Sequence, residues 1–314
     1  MGAATRAAAA DAERATRASA RAALDHWAER VRGRTEAEFI PWATGYWTHQ
    51  WLELRLAWYR AQAPAGEDGT DRLAAYLAER YREMVLDPVA RDTSPAQIAN
   101  DATRRFLQDL AAQVNVLAAR FDLPDTALMR WLDDVPAITD PPGASLGELI
   151  QRGDVVEHVA YRALVASTCG ATDRVDAYPL SRPMQAAASR AADRLATALA
   201  VRGSATAASV LGGVPGLVIG MGITAWDAST YAQERSALES ALRSDLEDML
   251  EEARRTLYED PSRGVLAPVF HIAANLAAAL PEAPDPDARP QQTDDGFPSN
   301  DAVQAEDEPP DALF

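Results

Sequence analysis

The chain contains no lysine: all thirty basic residues among its 314 are arginine, set in an alanine-rich background. That bias reads as a high-GC coding sequence rather than as function. Cysteine is nearly missing too, and the single Cys169 rules out an intramolecular disulfide. Standing before Gly170 at an expected helix end, it reads as a small buried or half-buried side chain. The four histidines, His26, His49, His158 and His271, are far apart in the chain, so no local metal cluster is encoded.

Catalytic signatures are missing as well. There is no HExxH, Glu-x-x-His, CxxC, GxSxG, P-loop or strand-bound GxGxxG. Cys169 and His158 would stand roughly 16 Å apart on a continuous helix, a poor nucleophile and base pair. Glu36 with Glu38 and Asp133 with Asp134 read as solvated faces. The expectation is a non-enzymatic protein with no cofactor and no metal. A net charge of −17 argues against nucleic-acid binding, whose energy comes mainly from neutralising phosphates. The first residues lack the apolar core of a secretory signal, and Arg6 breaks the myristoylation pattern that Met1-Gly2 would open. No convincing strand alternation occurs, and the expected fold class is all-α, a multi-helix bundle.

What the chain does have is one stretch of 24 residues without a charge, Gly203 to Trp226. As a helix it would span roughly 36 Å, against a hydrocarbon core of about 30 Å. Its few large aliphatics, Pro215 and six glycines make insertion marginal. Gly212, Gly216 and Gly220 recur every four residues and would form one smooth helix face, a device for close helix–helix association in lipid. The same pattern suits a hairpin or broken helix pair buried inside a soluble bundle, with Pro215 at a kink or apex.

In chain order, five regions are expected. Residues 1–35 form an Ala/Arg-rich helix of weak amphipathicity, solvated and partly frayed. Residues 36–170 form a helical domain, 171–182 a linker, and 183–280 a helical region containing the glycine-rich run 203–226. Residues 281–314 form a disordered acidic tail. Within the second region, Phe39 to Arg60 holds four of the seven tryptophans. Trp47, Trp51, Leu54 and Trp58 make one helical stripe beside Phe39, Trp42, Tyr46 and His49. Three readings fit: a core helix, a membrane-interface helix, or an aromatic ligand platform on Trp47, Trp51 and Trp58.

Helices are further expected over 72–86, from Ser94-Pro95 through Phe121, over 125–134, over 146–168 with a break near Gly153, from Pro183 into the run, over 227–259 and over 265–280. In the long 227–259 helix, Leu242, Leu246, Met249, Leu250 and Leu257 mark the buried stripe. Glu239 with Arg243 and Glu251 with Arg255 mark i, i+4 pairs.

Of the −17, −9 falls in residues 281–314, which carry seven prolines, ten acids and one arginine. Such a composition does not bury enough surface to order itself. Its last nine residues, EDEPPDALF, end on Leu313 and Phe314. This ending resembles the C-terminal tips of single-stranded DNA-binding proteins, which implies a protein partner with a basic, apolar pocket; a solubilising tail is the plainer reading.

Three functional expectations follow. The first is a membrane-associated helical scaffold, anchor or assembly protein that associates with itself or another helix through the glycine face. Arg190, Arg194 and Arg202 before the run, against Arg235 and Arg243 after it, would put the N-terminal side in the cytoplasm. The second is a triggered membrane-inserting protein that shields the hairpin, as α-helical pore-formers do. The third is a cytoplasmic soluble interaction module in which the glycines are core packing.

Overall fold

The computed structural model describes residues 2–62, 69–151, 154–169, 181–207 and 228–280. The fold is all-α, with strand confined to one short ribbon among the described residues. The described residues form one compact unit. The run from 208 to 227, including Gly212, Gly216 and Gly220, lies outside the described residues, as does the tail with Leu313 and Phe314.

Helix α1 (Gly2–Arg34) departs from the solvated, frayed helix expected of it. It buries Ala8, Ala12, Ala20, Leu24, Trp27 and Val31 along one face, packing against α6 (Pro95–Arg120), α11 (Ala228–Glu259) and α12 (Ala267–Ala279). Alanine explains both the packing and why it was illegible. A methyl side chain lets backbones approach closely, yet contributes little to the contrast between faces by which amphipathicity is read. Arg6 closes the arrangement by donating to the terminal carbonyls of α12 at Ala277 and Leu280.

Helix α6 follows its expected pattern, with Ile98, Ala102, Phe106, Leu110 and Val114 buried. Ser94 caps it: Gln97 N donates to Ser94 Oγ at 3.1 Å, and Ser94 N donates to Gln97 Oε1 at 2.7 Å. Phe121 is exposed, because α6 stops at Arg120 before the stripe returns to the core.

The chain leaves α1 through a π-helical turn, with Ile40 N donating to Thr35 O, into the short α2 (Ile40–Ala43). At Gly45 it turns; a Cβ there would meet Pro41 O at 3.2 Å and Trp42 O at 3.3 Å. Helix α3 (Tyr46–Gln62) then begins, so the expected single helix 39–60 is in fact two. Helix α4 (Gly69–Tyr81) continues through a second π turn, with Asp87 N donating to Arg82 O, into α5 (Asp87–Asp92). Helical backbone therefore continues past Asp87-Pro88 to Asp92.

The two wide turns meet at a buried pair. Thr35 Oγ1 donates to Val31 O and lies 2.8 Å from Tyr81 Oη, and the Tyr81 ring meets Phe39 edge-on.

Helix α7 (Asp125–Asp134) leads into an antiparallel ribbon, β1 (Pro136–Ile138) with β2 (Ala144–Ser145). The expected helix 146–168 is divided into α8 (Leu146–Gln151), a 3₁₀ turn at Val155–Glu157 and α9 (Val159–Cys169). Ser145 and Glu148 cap α8 reciprocally, and Asn275 of α12 donates to Ala137 O of the ribbon.

Helix α10 (Ser181–Ala207) packs on α4 and on α11. In α11, Leu242, Met249, Leu250, Ala253 and Leu257 are buried and Leu246 is half-buried. Its expected i, i+4 partners, Glu239 with Arg243 and Glu251 with Arg255, attract one another at longer range, while the close ion pairs are Arg243 with Glu36 of the first π turn, and Arg254 and Arg255 with Glu251 and Glu252 at i, i+3. Beyond it the chain turns on Asp260, which accepts from Ser262 N, Ser262 Oγ and Arg263 N.

Candidate functional site

Two features answer to the function-bearing stretches of the sequence: the α10–α11 pair on either side of the uncharged run, and the aromatic helix α3.

One carboxylate clamps the helix pair. Asp245 of α11 is only 6% exposed, and Arg190 Nε reaches its Oδ1 at 3.0 Å while Arg194 Nη1 reaches Oδ2 at 2.6 Å. Both guanidinia lie one helical turn apart on α10 and remain partly in water, so their hydration is retained while the acid's burial is compensated twice. Beneath the clamp, Phe39, Leu52, Tyr81, Met184, Leu242 and Met249 line an apolar cavity of about 30 Å³. Small-molecule sites usually run to roughly 300–1,000 Å³, so this is a packing gap and not a ligand pocket.

Beyond the clamp α10 continues from Arg194 to Ala207, taking in the first five residues of the run, and α11 runs from Ala228, just past it, to Asp245. At about 1.5 Å per residue, these arms are roughly 20 and 25 Å long.

Helix α3 divides its circumference in two. Leu52 and Leu56 are buried, on the side that meets α4 and α10. Trp51, Leu54 and Trp58 are 46%, 68% and 60% exposed, and Tyr46 is exposed as well. The core reading of this stripe is therefore corrected: two leucines about 100° around the helix take the buried position, and the large rings stand in solvent. The Trp47 side chain lies outside the described residues. In the neighbouring stripe, Phe39 is buried and Trp42 half-buried.

The exposed side is organised around Arg55. Its guanidinium carbon lies 3.7 Å from the centre of the Tyr76 ring, 4.4 Å from Trp51 and 5.5 Å from Tyr59. Trp51 and Tyr76 are themselves 5.5 Å apart. Among the described residues no carboxylate pairs with Arg55, whereas nearby Arg80 pairs with Glu83 and Arg82 with Glu79 and Asp87. Stacking engages the faces of a guanidinium and leaves its in-plane N–H donors free. Trp51 and Trp58 stand out in the sequence by their helical spacing, whereas the arginine between them does not. The legible signal of Arg55 is that it stands four residues from both Trp51 and Tyr59; its contact with Tyr76 on α4 is tertiary.

In the remaining polar clusters the hydroxyls are engaged locally. A surface cleft of about 540 Å³ contains Ser167, Thr168, Ser262, Arg263 and His271. There Ser167 Oγ and Thr168 Oγ1 donate to Leu164 O, and Ser262 Oγ donates to Asp260. His158 Nδ1 accepts from Ala160 N at the start of α9. No group of three metal-ligating side chains occurs among the described residues.

No protein-family model, curated protein or solved structure matches this chain. Among the described residues, no helix is long and apolar enough to cross a membrane.

Proposed function

We propose that the chain is a non-enzymatic, membrane-associated helical scaffold or anchoring protein whose uncharged run 203–226 enters the bilayer as a re-entrant hairpin. The observation that carries the reading is the arrangement of the flanks: α10 and α11 are clamped side by side at Asp245 within one compact unit, and the run joins their far ends. A single span would need α10 and α11 on opposite sides of the membrane. A run of this length does not cross a core of about 30 Å and also return. Two arms of about twelve residues, meeting near Pro215, reach roughly half-way.

Backbone within lipid must find its hydrogen bonds inside protein, so such a hairpin needs a partner surface. Gly212, Gly216 and Gly220 supply one, and a second copy or another helix is the expected companion. On this arrangement Arg202 and Arg235 flank the hairpin on one side, which the basic excess assigns to the cytoplasm.

The test is flotation of the full-length protein with liposomes, comparing wild type with Leu217→Arg. A central charge costs about 2.5–3.5 kcal/mol on an insertion scale, comparable to the gain from the run's aliphatics. Wild type is expected to float and resist extraction at high salt and alkaline pH, and Leu217→Arg to become extractable. Full extraction of the wild type would favour the soluble interaction module instead.

A further inference from the structure

We propose that the exposed face of α3, with Trp51, Leu54 and Trp58 set around the ring-clamped Arg55, is a contact surface for anionic phospholipid membranes in which Arg55 takes a headgroup phosphate. The inference rests on the membrane-associated reading and adds to it a second, peripheral contact of defined chemistry. Three observations converge on it.

The first is amphipathic geometry. Leu52 and Leu56 hold α3 in the bundle, while Trp51, Leu54 and Trp58 stand exposed on the same short helix. Indole and phenol rings with a polar edge favour the headgroup level, where the ring is desolvated and the edge stays wet. The second is charge. Arg55 is held between Tyr76 and Trp51 with no carboxylate partner among the described residues, in a chain of net charge −17. Its planar fork of donors matches a phosphate's oxygens. Ring stacking fixes the guanidinium beforehand, so little side-chain entropy is lost when phosphate binds.

The third is continuity. Helix α3 packs on α4 and α10, and α10 leads directly into the uncharged run. The helix that carries the rings is thus a direct neighbour of the helix that leads into the proposed hairpin. The acidic body opposes approach to anionic lipid, but over a Debye length of about 8 Å at physiological salt, so contact is decided locally.

The experiment uses full-length protein and vesicles of two compositions, zwitterionic phosphatidylcholine alone and phosphatidylcholine with anionic phosphatidylserine. It is run in both the wild-type and Leu217→Arg backgrounds, so that hairpin and face are read separately. With Leu217→Arg, residual binding to anionic vesicles is expected. Adding Leu54→Ser and Trp58→Ser should weaken it about tenfold or more. Adding Arg55→Gln should weaken it about fivefold on anionic vesicles and leave phosphatidylcholine binding unchanged, with partial retention for Arg55→Lys. Leu54 and Trp58 are exposed and Arg55 is half-exposed, and unchanged melting curves verify the fold.

Equal binding of the Leu54→Ser/Trp58→Ser variant and its parent overturns the face while leaving the hairpin reading intact. Wild type and Leu217→Arg binding alike, both abolished by the α3 substitutions, would overturn the hairpin and uphold the face. Concentration-dependent dimerisation abolished by Trp58→Ser, without vesicle binding, would assign the face to a second copy and overturn the proposal.

Discussion

Single side chains here have roles set by which partner holds the proton. Thr35 Oγ1 donates to Val31 O, so the hydroxyl shared with Tyr81 must come from Tyr81. Removing either partner therefore has unequal effects. Tyr81→Phe deletes one hydrogen bond and leaves the Thr35 donor satisfied, a loss of about 1 kcal/mol. Thr35→Val strands the buried Tyr81 hydroxyl and is expected to cost about 1–3 kcal/mol. Chemical denaturation of the two variants checks the order, and an inverted order refutes the donor assignment. Burial pushes the Tyr81 hydroxyl's pKa up. A folded value above the unfolded one, about 10, means that this residue's contribution is complete below pH 10 and falls away above it. Absorbance titration of the wild type against Tyr81→Phe should show that the Tyr81 hydroxyl ionises only as the protein unfolds in alkali.

The element scale is where the helices get their ends and their pairing. Ser94→Ala removes a reciprocal cap from α6 and should lower stability by about 1 kcal/mol. Gly264 follows α11 in a tight turn, where an added Cβ would meet Asp260 O at 2.5 Å and Leu257 O at 2.7 Å. Gly264→Ala should cost about 1–3 kcal/mol by forcing backbone to move, read as a lowered melting temperature. In the same turn, hydrogen bonds from Ser262 hold the Asp260 carboxyl below its usual range. Its contribution is present above the unfolded value near 3.9 and is lost as pH falls through the lower folded value. Asp260→Asn should flatten the acid limb of the stability curve below about pH 4. Much at this scale was readable beforehand: the Ser94 cap, the α6 stripe and the buried side of α11. The Ser145/Glu148 cap was readable and missed, since the S-x-x-E spacing is present. The π turns were not readable, because one extra residue per turn leaves no mark on side-chain period over five residues.

For the whole molecule, the hairpin proposal rests on the clamping of α10 and α11, the helices on either side of the uncharged run, at Asp245. Thiol accessibility tests this directly. In a Cys169→Ser background reconstituted in vesicles, Ser204→Cys and Ser229→Cys should react with a membrane-impermeant reagent from the same side. Reaction from opposite sides would restore a single span and exclude the hairpin. The clamp should also matter here. Asp245→Ala leaves two arginines without their carboxylate and should lower stability by about 1–3 kcal/mol, more than Arg190→Ala alone, which leaves Arg194 in place.

Sequence alone determined the helical class, the helix stripes with strong apolar contrast, the uncharged run, the acidic tail and the lack of any catalytic signature. These are local properties, set by side-chain period and by the charge and size of neighbouring residues. Tertiary structure decided that the alanine face of α1 is core, that Trp51 and Trp58 stand outside while Leu52 and Leu56 go in, and that Arg190 and Arg194 serve Asp245. Each of those depends on which surface another helix presents, and helical periodicity cannot say which of two adjacent faces finds a partner. The run 203–226 shows the division: its composition marks it as a membrane candidate, and the pairing of its flanks argues for a hairpin over a span.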